Sequence, residues 1–261
     1  MAEKGDSSDE EPTIAEDVVG SLNTKWLEIW PTFVSGVLAQ VIEACVAGAA
    51  IVDVCEMGDK MIFEETKNVY KKEKDMKKGI AFPTCLSVNN CVCHFSPLRS
   101  DPPLILGDGD LIKVELGVHV DGFIAVAGHT LVVGASKDNK VTGRQADVMQ
   151  AAYLAGEIAH RMVVPGGDSM TVSSAIQKVA SSFNCNSVEG ILCHQLKRNN
   201  YDSEKTIILN PTEQQKREHK SCEFELYEAY AIDIIISSGE GKTRQLDTRT
   251  TIFRRRMMFI S

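Results

Sequence analysis

The chain has 261 residues, 43% hydrophobic and 25% charged, with a formal net charge of -8. That supplies apolar surface for one large core or two fused halves, and it excludes a globally basic polymer binder, so any contact with phosphate must come from a local patch. No run approaches the roughly 20 apolar residues of a spanning helix, and the start is acidic and polar where a secretory leader is basic and then apolar, so an intracellular protein is expected.

Residues 1–15 hold Asp6, Asp9, Glu10 and Glu11 among small polar neighbours and are expected to form a disordered acidic tail. From about residue 33, Val37, Leu38, Val41, Ile42 and Cys45 share one helical face, with Pro31 limiting the start and Gly48 near the end. A second helix is expected from Asp53 as N-cap, turning Val54, Met57, Met61 and Ile62 inward. It runs into Lys67, Lys71, Lys72, Lys74, Lys77 and Lys78, broken by Glu73 and Asp75. These lysines are either a nucleic-acid patch or a solvated helix end whose cations complement the macrodipole.

Beyond residues 84–97, the runs flanking Val120-Asp121-Gly122 predict a β-hairpin. Val148, Ala152, Ala155, Ile158 and Met162 predict a third helix over 144–163, ended by Pro165-Gly166-Gly167. Thr171 is the expected cap of a fourth helix over 172–183, and strands are expected at 206–209, 224–226 and 230–237. Two helix pairs, each followed by strands, suggest a duplicated α+β unit. The eight cysteines lie mostly in apolar or helical segments of a large chain, which points to reduced, largely buried thiols.

Two carboxylates stand out. In residues 111–117, alternation places Ile112, Val114 and Leu116 on one face and Glu115 on the other. The hairpin brings Val126, Ala127 and Gly128 beside Glu115, and none of the three can bind a metal ion. Asp233 interrupts the apolar run Ile232-Asp233-Ile234, so it is either a paired or solvent-facing strand residue or part of a relic site. His94 and His194 each follow a cysteine; a lone histidine is more often a satisfied core or loop residue than a ligand. Residues 239–243 end like a phosphate-binding loop, but the first glycine of that motif would fall at Ile236. Cys91, Cys93 and His94 lack the spacing of a structural zinc site.

Residues 79–84 (GIAFPT), 87–97 (SVNNCVCHFSP), 117–125 (GVHVDGFIA) and 237–242 (SSGEGK), in that order, resemble the proliferation-associated (ErbB receptor-binding) protein family. The resemblance covers about residues 13–256. It implies the α+β pita-bread fold of type 2 methionine aminopeptidases, with one domain over 16–256 in two pseudo-repeated halves (about 16–135 and 136–256) and a divergent end at 257–261. By the same resemblance, the dinuclear ligand positions of the peptidases fall at Glu115, Val126, His194 and Asp233, a further glutamate would lie past Ser261, and His94 matches a substrate-facing histidine.

A two-metal peptidase needs bridging carboxylates that hold its ions roughly 4 Å apart. With Val126 at one position and one-methylene changes at Glu115 and Asp233, at most one weakly held ion is expected, and no cofactor. The resemblance therefore implies a pseudoenzyme that associates with RNA, ribosomes or pre-ribosomal particles and with regulatory proteins. It implies roles in ribosome biogenesis, translation or transcription control, in cytoplasm, nucleus and nucleolus, with residues 67–78 as the remaining basic patch. A residual metal-dependent methionine aminopeptidase and a protein-interaction scaffold are the competing readings. The resemblance also implies a sheet that is incomplete at the C-terminus, leaving residues 229–236 as an open edge.

Overall fold

The computed structural model describes residues 33–246 and 249–253, so the expectations for the acidic tail and for residues 254–261 lie outside the described residues. Helix α1 (Ser35–Ala44) buries Val37 and Val41 as its spacing requires, and the chain reverses at Gly48, whose φ of 88° suits glycine. Helix α2 (Ile51–Asn68) starts earlier than expected. Ala50 is the N-cap position and Asp53 sits in the first turn, because the Ile51 amide is already satisfied by the Leu104 carbonyl (3.0 Å). Asp53 instead pairs with Arg99 at 2.6 Å.

Strands β1 (Lys78–Val88), β2 (Leu111–Val120) and β3 (Phe123–Val132) form an antiparallel sheet in that order. The hairpin is the one expected: Val120 opposes Phe123 across Asp121 and Gly122, whose φ values of 55° and 80° give the primed two-residue turn. Ile112, Val114 and Leu116 are fully buried under α1 and α2, which leaves Glu115 on the opposite face.

Helix α3 (Gly143–Met162) packs on α4 (Ser169–Ser182). The buried stripe of α3 is Ala151, Ala155 and Ala159; Val148 and Met162 are only partly covered, and small residues at the contact let the helices approach closely. The cap of α4 is Asp168 rather than Thr171: its Oδ1 accepts the Met170 and Thr171 amides at 2.9 Å each. A carboxylate placed before the apolar stripe is a strong N-cap.

The remaining strands are short: β4 (Asn186–Ser187), β5 (Leu192–Leu196), β6 (Thr206–Ile208), β7 (Ala229–Ala231) and β8 (Ile236–Ser237), with a capped one-and-a-half-turn helix α5 (Glu213–Glu218) after β6. They pair as β6-β5-β7 and β4-β8. Two expectations fail here. Residues 224–226 are not a strand but lead into a turn, held where Glu225 N–H donates to Glu228 (2.8 Å), and the run at 230–237 is interrupted around Asp233.

One core surrounds Val41, Ile62, Leu86, Ile112 and Leu116; another surrounds Ala155, Ile176, Ile207, Leu209 and Phe224. All eight cysteines are free thiols, five buried and three half-buried. Among the described residues, no helix is long and apolar enough to cross a membrane.

Candidate functional site

The site forms where the two cores meet. From the first half, β2 presents Glu115, and the loop after β1 folds back along its own strand, with Leu86 N–H donating to Phe95 O (2.8 Å) and Phe95 N–H to Ser87 Oγ (3.2 Å). That return places His94, at a left-handed φ of 58°, over the Glu115 carboxylate. The His94 backbone N–H donates to Glu115 Oε2 at 2.8 Å, and its ring Nε2 lies 3.5 Å from Oε1. From the second half, the Asp233 backbone is clipped to β5 at Cys193: the thiol donates to Asp233 O and accepts the Asp233 N–H, both at 3.3 Å.

One ligand atom each of His94, Glu115 and Asp233 lies within 4.8 Å of the others. Burial, reinforced by the neighbouring Glu115 charge, pushes the Asp233 carboxyl up to about 6. Burial also raises Glu115, against the His94 amide and Lys113, and lowers His94. Cys93, half-buried, and Cys193, buried, lie beside these carboxylates and are each pushed up to about 12, which makes them poor nucleophiles or ligands as thiols.

His194 stands apart from this trio. On β5 it opposes Ala231, its ring lies 5.8 Å from Tyr201, and Nδ1 is 3.8 Å from Asp202. Tyr201 in turn stacks at 6.2 Å on Phe82, which meets the His94 ring edge-on at 4.9 Å. This aromatic wall was missed in the sequence, because Phe82 and Tyr201 belong to no shared periodicity. Val126 opposes Gly117 on β3, where a carboxylate would sit diagonal to Glu115. Its Cγ1 lies 3.0 Å from where a Cβ on residue 117 would stand.

Among the described residues, the clustered donors are two carboxylates and one imidazole, which can share a proton or hold a single cation but fall short of the bridged set that a pair of ions needs.

Of the six lysines singled out, Lys67, Lys71, Lys72, Lys74 and Lys77 are exposed, whereas Lys78 is half-buried and donates to the Val69 carbonyl (2.6 Å). They lie at the far end of α2, at the junction with β1, and none of them belongs to the trio.

A model of metallopeptidase family M24 matches residues 32–240. The chain belongs to metallopeptidase family M24. Among M24 relatives, it is 41% identical to "Proliferation-associated protein A" of Dictyostelium discoideum over 249 residues, covering 95% of this chain and 64% of that protein. It is also 41% identical to the "Curved DNA-binding protein" of Schizosaccharomyces pombe over 222 residues, covering 84% and 57%. The solved structure of a thermophilic Arx1 superposes with a TM-score of 0.78 at 30% identity, covering 88% of this chain and 66% of that one. A methionine aminopeptidase from Rickettsia prowazekii shares the fold, with a TM-score of 0.67 at 17% identity, covering 91% and 86%. The pita-bread, methionine aminopeptidase-like architecture expected from the sequence is therefore the M24 fold found here. The chain spans about three fifths of the length of these two curated M24 relatives.

Proposed function

We propose that this M24 chain is a non-hydrolytic binding protein that associates with RNA-containing particles, ribosomal or pre-ribosomal. The carrying observation is the cluster of three donors, only two of them carboxylates, and the family resemblance would put Val126 where a bridge between two ions is needed. Nothing in that set activates a water between paired cations. Contact with nucleic acid is supported by the name of the curved DNA-binding relative and by the exposed lysines between residues 67 and 77, and the choice of RNA by the family resemblance. On this reading the protein works in the cytoplasm and nucleus, and its two helix-pair halves, about 16–135 and 136–256, serve as one scaffold.

The test combines three measurements on the full chain. Elemental analysis after incubation with cobalt or manganese should find at most one ion per chain, and a methionine-initiated peptide should remain uncut. Ribosomes should carry the protein down on sedimentation at low salt and release it at high salt. Two bound ions with methionine release would overturn the non-hydrolytic reading, and failure to sediment with ribosomes at any salt would overturn the RNA reading.

A further inference from the structure

The three converging donors come from both halves of the molecule. His94 lies on the loop after β1 and Glu115 on β2, whereas Asp233 lies on the run that follows β7. Among the described residues this is the group whose ligand atoms meet, and neither His194 nor any cysteine belongs to it.

Each donor is aimed by a contact of its own. The His94 amide occupies Glu115 Oε2, which leaves Oε1 facing the His94 ring nitrogen Nε2 at 3.5 Å. Phe82 meets that ring edge-on at 4.9 Å. Asp233 is fixed through its backbone, whose N–H and carbonyl are both bonded to the Cys193 thiol. Two donors bound to one ion at about 2.1 Å stand roughly 3–4 Å apart, a separation that Oε1 and Nε2 already have. The Asp233 carboxylate, within 4.8 Å of both, completes the set from the other half.

We propose that His94, Glu115 and Asp233 hold one divalent transition-metal ion, and that this ion braces the two halves of the molecule against each other. Two carboxylate oxygens and an imidazole nitrogen, with no thiolate, suit an ion such as manganese(II) better than a soft one. The proposal rests on the non-hydrolytic reading above and adds to it the ligands of the ion and its role. It also departs from the ligand positions that the family resemblance implies. His194, the histidine expected at the ion, instead lies against Tyr201 and Asp202, and His94, expected to face a substrate, takes its place. Two carboxylates brought together from separate halves repel one another, and a cation between them turns that repulsion into attraction to a shared centre. An ion bound only by the assembled pocket stabilises the assembly by mass action. Since one half supplies two donors and the other half one, the gain must be felt in both.

The test uses the full chain stripped with a chelator and reloaded with manganese(II) chloride. Each variant is compared with itself in the stripped state, so that any effect of the substitution on the ion-free fold drops out. One ion should bind per chain and, at about a hundred times its dissociation constant, raise the thermal midpoint by roughly 5–8 °C. Amide hydrogen exchange should slow together in residues 85–95 and 229–236. The electron paramagnetic resonance of the bound ion should show coupling to one imidazole nitrogen. His94→Asn, chosen because Asn tolerates the left-handed φ of 58°, should abolish that coupling and weaken binding by roughly tenfold or more, and His194→Gln should change neither. Glu115→Gln, which keeps an acceptor for the His94 amide, and Asp233→Asn should each weaken binding by a similar factor while the nitrogen coupling of the residual bound ion persists. No saturable manganese binding, a nitrogen coupling that survives His94→Asn, or exchange protection confined to one half would each overturn the brace and leave the non-hydrolytic reading standing. Two bound ions with methionine release from a peptide would sink both.

Discussion

Asp233 and Glu115 approach one another from different halves of the molecule, and the Glu115 charge adds to burial in raising the cost of ionising Asp233. Asp233 titrates near 6 in the fold against about 3.9 in an unfolded chain, so the folded state binds more protons between those values. The sign follows. Below about pH 4 the carboxyl is protonated in both states and costs nothing. As pH rises from about 4 to about 6, the folded protein loses stability relative to the unfolded chain, and above about 6 the full penalty, roughly 3 kcal/mol, is present. Asp233→Asn should therefore raise the thermal midpoint by several degrees near pH 7.5 and change it little near pH 4. The same experiment reports on metal: if Asp233 served chiefly to hold an ion, the substitution would lower the midpoint near pH 7.5, and a chelator would lower it in the wild type.

At the scale of elements, α2 crosses β1 closely at Gly58. A Cβ there would lie 2.5 Å from Thr84 Oγ1, 2.8 Å from its Cγ2 and 3.0 Å from Val41 Cγ2, and Thr84 is fully buried. Alanine favours a helix over glycine by about 1 kcal/mol, but overpacking a closed contact costs about 1–3 kcal/mol. Gly58→Ala should thus destabilise by about 1–2 kcal/mol in urea titration, and Thr84→Ala in the same chain should recover most of the loss. Thr84→Ala removes both clashing atoms and keeps the Thr84 backbone N–H that donates to Asp59 at 2.7 Å. An additive double-mutant cycle would count against this contact.

The legibility of the elements follows their patterning. The hairpin of β2 and β3 was readable because Ile112, Val114 and Leu116 alternate with polar groups and Asp121-Gly122 can take positive φ at both positions. Helix α1 was readable because Val37 and Val41 repeat on one face. Strand β5 was not, because in Leu-Cys-His-Gln-Leu the buried residues are Cys193, Gln195 and Leu196, and Gln195 is polar, its Nε2 donating to Glu228 at 2.8 Å. The start of α2 was misplaced because the partner of its first amide is supplied by Leu104, far away in sequence. Helix α5 had a readable signal, the Thr212 and Gln215 capping box, that was not followed. As for the site, local pattern marks Asp233 as an unusual polar residue, and strand alternation turns Glu115 away from the core face. Neither shows that His94 rather than His194 joins the two carboxylates, because that depends on how the loop after β1 folds back.

At the scale of the whole molecule, the site exists only while the two halves stay in register, and a clasp beside it fixes that register. Arg198 donates from Nε to Asp121 O (2.9 Å) and pairs with its carboxylate at 2.8 Å, while its guanidinium lies 5.5 Å from the Phe123 ring centre. Asn199 N–H donates to Gly122 O at 2.8 Å. Gly122 has no room for a side chain: a Cβ would fall 2.1 Å from Asn199 Oδ1, and φ is 80°. The β2–β3 turn of one half thus sits in the Lys197–Asn200 turn of the other, close to Tyr201 and His194. Arg198→Ala removes the charged and stacking contacts but leaves each core intact. It should therefore lower overall stability by only about 1–2 kcal/mol. Amide hydrogen exchange should accelerate selectively in residues 119–124 and 197–203, with α3, α4 and the centre of β2 as slow as before. Gly122→Ala, which strains the turn as well as opening the clasp, should give the same exchange pattern with a larger loss of stability. If exchange instead rose evenly through both cores, the halves would be coupled through the site residues or the cores themselves, and this turn would be only one contact among many.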